Sequence, residues 1–225
     1  EGNLRLFGIK ATAETWAISL VYFVQGISGF SRLAQTFYLK DTLHIGPADL
    51  ALLSSISIIP WVIKPFYGFI SDTYPLFGYK RRSYLVLSGF LGSAAWGALS
   101  LWSGCVGSGQ CPAGSTAIAA TIGLTSIASL GLAFSDVLVD AIVVSKSRGA
   151  SGDEDGEGGG QTRAGALQAL CWSSSSLGAI LSAYFGGSFV QEFGSTFVFG
   201  LTASFPLITA GVAGLIQEKR AVAAA

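Results

Sequence analysis

Pro60-Trp61-Val62-Ile63-Lys64-Pro65-Phe66-Tyr67-Gly68-Phe69-Ile70-Ser71-Asp72 is an apolar run that holds one cation and ends in an aspartate. Shortly after it comes Gly78-Tyr79-Lys80-Arg81-Arg82. The run starts further back, near Ala48, and Pro47 before it suits a first helical turn. A bilayer core about 30 Å thick takes about 20 mostly apolar residues. The stretch from Ala48 to Ile70 meets that length, and the basic cluster beyond it reads as the end of a membrane-spanning helix.

Five further runs of the same kind flank it. The six are expected at about 15–38, 48–70, 84–102, 115–144, 166–190 and 196–216. The first and fourth are long, which implies tilt or extension beyond the membrane. Barrel strands would alternate over about ten residues, and these runs are longer and unbroken. The expected fold is therefore an all-α membrane protein, with residues 1–225 forming one six-helix bundle. Composition agrees. Of 225 residues, 51% are hydrophobic and only 12% charged, with a mean hydropathy of +0.58. A soluble domain carries about 25% charged residues. Between the fourth and fifth runs, residues 149–161 are acidic and Gly-rich and read as a flexible loop.

Thirteen basic residues balance thirteen acidic ones, so no nucleic-acid partner is implied. His44 and three cysteines make no metal-ligand set. With no nucleophile–base set and no phosphate loop, an enzyme is not expected, nor a cofactor or metal. The chain starts at Glu1 and has no Met, so it is expected to be processed or a fragment.

Orientation follows the basic residues. Arg5, Lys10, Lys80, Arg81, Arg82, Lys146, Arg148, Arg163, Lys219 and Arg220 all fall on one side. Both termini and those loops are expected on the cytoplasmic side, or the stromal side of a plastid. Cys105 and Cys111 fall on the other side. A disulfide in an oxidising compartment and two free thiols are equally open readings.

Four ionisable residues lie inside the runs: Arg32, Lys64, Asp136 and Asp140. Such residues mark function by default, because charge in a membrane is costly. Counted from the basic end, Lys64 lies roughly 12 Å and Asp136 roughly 13 Å deep, so they are expected to pair. Snorkelling of Lys64 is the alternative. Asp136 and Asp140 share a helix face with Ser129, Thr125 and Thr121, which suits a watery cavity; close helix packing is the alternative. Asp140, the carboxylate that Lys64 does not neutralise, is the candidate proton carrier. Arg32, on a face with Gly29, Gln25 and Tyr22, suits an anionic substrate group or interfacial anchoring. Trp172 is a candidate to stack on a flat heteroaromatic ring, with Gln168 bonding its edge, although packing is the commoner use of a membrane Trp.

Gly68, Asp72, Gly78 and the cluster Lys80, Arg81 and Arg82 resemble the gating signature of the major facilitator superfamily, with a longer spacing from Asp72 to Gly78 than usual. Further blocks sharpen the likeness. Arg32 to Asp41, Pro60 to Asp72, Gly78 to Tyr84, Ser135 to Asp140 and Leu167 to Trp172 closely resemble the folate–biopterin transporter family. Ser145-Lys146-Ser147-Arg148 departs from that family's pattern. The resemblance implies the N-terminal six-helix half of a major facilitator superfamily bundle. It implies as partner a C-terminal six-helix half or a second copy. It implies folate or pterin as substrate, symport with protons, a lipid bilayer as surroundings, and a plastid envelope or plasma membrane as location. Two other readings stay open: a facilitator of another organic anion or amino acid, and a non-transporting half with a regulatory or assembly role.

Overall fold

The structure, a computed structural model, describes residues 5–6, 9–149, 159–216 and 218. Strands β1 (Arg5–Leu6) and β2 (Ile9–Lys10) form a short antiparallel ladder ahead of the helices. Four helical stretches are long and apolar enough to cross a bilayer: Ala13–Thr42, Arg82–Gly107, Ser115–Ser147 and Ala164–Leu215. The chain is an all-α membrane protein, the architecture that satisfies every backbone group within its own segment.

The first stretch contains α1 (Ala13–Ile27), α2 (Phe30–Phe37) and a π-helical turn over Tyr38–Thr42. Thr12 caps α1, its hydroxyl accepting from the Thr15 N–H at 3.2 Å. Where sequence alone implies one helix over 48–70, the structure has three: α3 (Pro47–Ile56), α4 (Ile59–Val62) and α5 (Lys64–Thr73). The prolines explain the breaks. Pro60 has no N–H to offer the Ile56 carbonyl four residues back, and Pro65 has none for Trp61. The Tyr67 hydroxyl spans the second break and donates to the Pro60 carbonyl at 2.9 Å.

Then follow α6 (Arg82–Gly107), α7 (Ser115–Gly149) and α8 (Gly159–Val212). Of the acidic Gly-rich loop, residues 150–158 lie outside the described residues, while Gly149 closes α7 and Gly159 opens α8. Element α8 is two helices joined across a kink at Gly194, whose φ of 78° suits glycine. Its contacts show the path. Before the kink, Ser174 meets Ser19 of α1 at 2.6 Å. After it, the Ser100 hydroxyl of α6 donates to the Thr196 carbonyl at 2.9 Å. Element α8 therefore runs out along α1 and α2 and returns along α6.

Small residues set the crossings. A Cβ on Gly178 would sit 2.4 Å from the Phe23 carbonyl oxygen, and one on Gly26 only 2.0 Å from that of Ser175. Elements α1 and α8 thus touch backbone to backbone, as membrane helices do where side chains permit it. Two apolar clusters close the ends of the bundle. One joins Ile18, Val21, Leu85, Leu138, Val139 and Leu167 near the basic loops. The other joins Phe30, Ala34, Tyr38, Leu99 and Phe199 near the opposite end. The segment 47–73 stands apart: α3 has no buried residue, and Val62, Phe66 and Phe69 are each at least two-thirds exposed.

Candidate functional site

Between the two apolar clusters lies a cavity of 810 Å3. Its walls come from the α1–α2 junction, the Ser54–Trp61 part of the broken segment, and the middles of α6, α7 and α8. The lining is rich in small and hydroxyl residues because the same positions let the helices cross closely. Several of those hydroxyls are committed to their own backbone: Ser28 donates to Val24, Ser31 to Ser28, Thr36 to Arg32 and Ser135 to Leu132. Among the remaining groups, three side chains offer unspent donors. Arg32 is the one ionisable residue in the described lining, and it has no ionic partner among the described residues. The amide nitrogens of Gln25 and Gln35 are buried without a hydrogen-bond partner among those residues. A concave site with a few unspent polar groups is the usual form of a small-molecule site. This one offers donors and a positive charge, so it suits an anionic, acceptor-bearing molecule.

Gln35 and Trp61 were not assigned roles by sequence reasoning, and Gln25 was named only as a neighbour of Arg32. A signal was present: Gln25 and Gln35 interrupt the first apolar run on the Arg32 side, at helical spacing from it.

At the basic end of the cavity sits an ion pair. Lys64 donates to Asp136 at 2.5 Å, joining α5 to α7. The Lys64 ammonium also lies 4.3 Å from the centroid of the Trp61 ring. Neither member of the pair lines the cavity itself, but Trp61 and Ser135 beside them do. Nearer the basic loops, the Tyr22 hydroxyl of α1 donates to the Asp140 carboxylate. Asp140 is exposed at the surface of the bundle and has no cation partner among the described residues.

Gln168 and Trp172 lie apart from the cavity. Both are exposed, Trp172 to 64%, and neither lines the cavity. They share a face with Ser175, Ala179 and Ser182, but only those last three reach the lining, because the cavity ends at the level where Ser175 packs on Gly26.

The basic loop is built around a tight turn. Phe77 and Gly78 both have positive φ, 52° and 80°, and the Tyr79 N–H returns to the Leu76 carbonyl at 2.9 Å. This turn takes up the extra length between Asp72 and Gly78. Arg81 bonds the Ala141 carbonyl of α7 at 3.1 Å and approaches Asp72 at 3.9 Å. The Glu218 carboxylate accepts from the backbone N–H groups of Lys80, Arg81 and Arg82, at the start of α6, where a negative charge is favoured. Gly68 is not a close-approach position, since a Cβ there would meet only Val137, at 3.6 Å. At the opposite end, Cys105 and Cys111 form a disulfide with Cα atoms 5.2 Å apart.

Residues 25–225 match the model of the BT1 family, a span that includes the ion pair, the basic loop and every cavity-lining residue but Val24. The chain belongs to the BT1 family. It is 41% identical to the Folate-biopterin transporter of Synechocystis sp. over 95% of this chain and 39% of that protein. It is 32% identical to Probable folate-biopterin transporter 2 of Arabidopsis thaliana over 90% of this chain and 36% of the relative. A shorter match, 42% identical over 73 residues, joins it to Folate transporter 1 of Plasmodium falciparum, over 32% of this chain and 14% of that one. The chain thus spans about two-fifths of the length of the first two relatives. These BT1 relatives are named as transporters, not as enzymes.

Proposed function

We propose that this chain is the N-terminal half of a secondary transporter that carries folates or pterins through a membrane. In this reading the chain crosses six times: the broken segment 47–73 counts as one crossing, and α8 as two that meet at Gly194. The basic loops face the cytoplasm or stroma. The half works against a second bundle in the manner of the major facilitator superfamily, exposing the cavity to each side in turn. The observation that carries the reading is the donor-rich cavity around Arg32 in a chain whose relatives are named for folate and biopterin. A folate carries carboxylates and ring carbonyls, acceptors that suit the Arg32 guanidinium and the Gln25 and Gln35 amide N–H groups. The exposed apolar face of 47–73 is the surface left for lipid and for the rest of the transporter.

Proton coupling is assigned to Asp140, held by Tyr22 and without a cation partner among the described residues. The test is uptake of radiolabelled folic acid by the full-length protein in cells lacking their own folate uptake. Arg32→Gln should abolish uptake at normal membrane abundance. Asp140→Asn should keep folic acid exchange but lose accumulation driven by a pH gradient. Wild-type accumulation in the Asp140→Asn protein would remove that residue from the coupling, and full uptake by Arg32→Gln would move the binding site elsewhere.

A further inference from the structure

We propose that Trp61 is a positioning residue that ties the state of the cavity wall to the Lys64–Asp136 pair. The inference rests on the reading of the cavity as the ligand site. Trp61 belongs to α4, a single turn isolated between two breaks. Element α4 can therefore shift without dragging α3 or α5 as a rigid rod, since proline breaks are where helices bend. The indole takes part in both structures at once. It lines the cavity, and its N–H donates to the Ser129 hydroxyl of α7 at 3.1 Å. Its ring lies beneath the Lys64 ammonium at 4.3 Å, and Lys64 holds Asp136 at 2.5 Å.

The three contacts form a ladder along α7. Ser57 meets Thr125 at 3.1 Å, Trp61 meets Ser129, and Lys64 meets Asp136. The first two rungs face the cavity, and the third lies past its end. A ligand that displaces the indole from Ser129 must also move the π face that supports the ammonium. Attraction between a cation and an indole face depends on that placement. The pair is then released or tightened according to what occupies the cavity, and by reciprocity the pair alters the affinity of the cavity.

The experiment measures the rate at which Lys64 is acetylated by a pulse of acetic anhydride, read by mass spectrometry, in the full-length protein in nanodiscs. It needs no ligand for its first arm. Ser129→Ala should change the Lys64 rate by about fivefold or more, the lower range of typical site-to-site couplings. Ser129→Thr, which keeps the hydroxyl, should restore the wild-type rate. Trp61→Phe keeps a ring under the ammonium and should fall between wild type and Trp61→Leu. An unchanged Lys64 rate in Ser129→Ala overturns the proposal. In the second arm, folic acid binding is first measured by equilibrium dialysis. Bound folic acid should shift the Lys64 rate in wild type and not in Trp61→Leu, and an equal shift in both overturns the proposal. Failure of folic acid to bind counts against the folate reading, while the Ser129 arm still decides the role of Trp61.

Discussion

Removing one member of the Lys64–Asp136 pair should destabilise the bundle more than breaking an exposed ion pair would. The pair joins α5 to α7, and few other side-chain bonds hold the segment 47–73 in place. Asp136 is the more enclosed partner, its side chain 12% exposed against 31% for Lys64. Losing one partner of a fully buried pair costs about 3–5 kcal/mol, whereas an exposed pair is worth about 0–1 kcal/mol. The exposures place this pair between those limits. Lys64→Ala strands an enclosed carboxylate and should cost about 2–3 kcal/mol. Asp136→Ala leaves an ammonium that keeps the Trp61 ring and can reach toward water, so about 1–2 kcal/mol is expected. The double variant should lose less than the sum of the two, because no charge is left alone in it. The assay is unfolding of the full-length protein in mixed micelles under increasing SDS, with all four members of the cycle compared. Strict additivity of the two single effects would refute the pairing argument.

Gly178→Leu should prevent stable assembly, since even a Cβ there would lie 2.4 Å from a backbone oxygen, while Gly187→Ala, with nothing within 4 Å, should be silent in the same unfolding assay. Overpacking of this kind costs typically about 1–3 kcal/mol and more when backbone must move. Gln25→Leu and Gln35→Leu should each weaken folic acid binding by about tenfold, the cost of about one lost hydrogen bond, without lowering membrane abundance; unchanged affinity would place the ligand away from α1 and α2. Cysteines introduced at Gln110 and Gly149 should react with impermeant thiol reagents from opposite sides of the membrane. Reaction from one side only would contradict the proposed crossings.

The membrane class was legible because it depends on run length and composition alone, and every run except 48–70 lies in one of the four long apolar stretches. The Lys64–Asp136 contact was legible too, since helical rise fixes depth and two opposite charges at one depth have few other partners. The breaks at Ser57–Ile58 and Ile63 were not read, although Pro60 and Pro65 stood in plain view. Hydropathy counts a proline in an apolar run as tolerable, whereas the hydrogen-bond ladder feels each missing N–H four residues earlier. That Gln168 and Trp172 lie outside this cavity was not legible either. Helical periodicity gave their face correctly, but a face extends along the whole helix and a cavity does not. Where the cavity stops is fixed by Gly26 against Ser175, a contact between distant parts of the chain that no local pattern reports.

The same small residues set both the packing and the cavity, and this bears on how the bundle can move. Gly26, Gly29, Gly89, Gly92 and Gly131 line the cavity, and each lies where another helix comes close. Substituting any of them to reshape the cavity would also separate helices. Elements α1, α6, α7 and α8 are therefore committed to one arrangement by backbone contact. The segment 47–73 is different. It has two proline breaks, scant burial, and a ladder of side-chain bonds to α7 instead of glycine crossings. Side-chain bonds can exchange one by one with water or ligand, while a close-packed backbone crossing must separate as a whole. If one wall of this cavity moves as the bundle works, the physical chemistry assigns that motion to α3, α4 and α5, with α7 as the fixed rail.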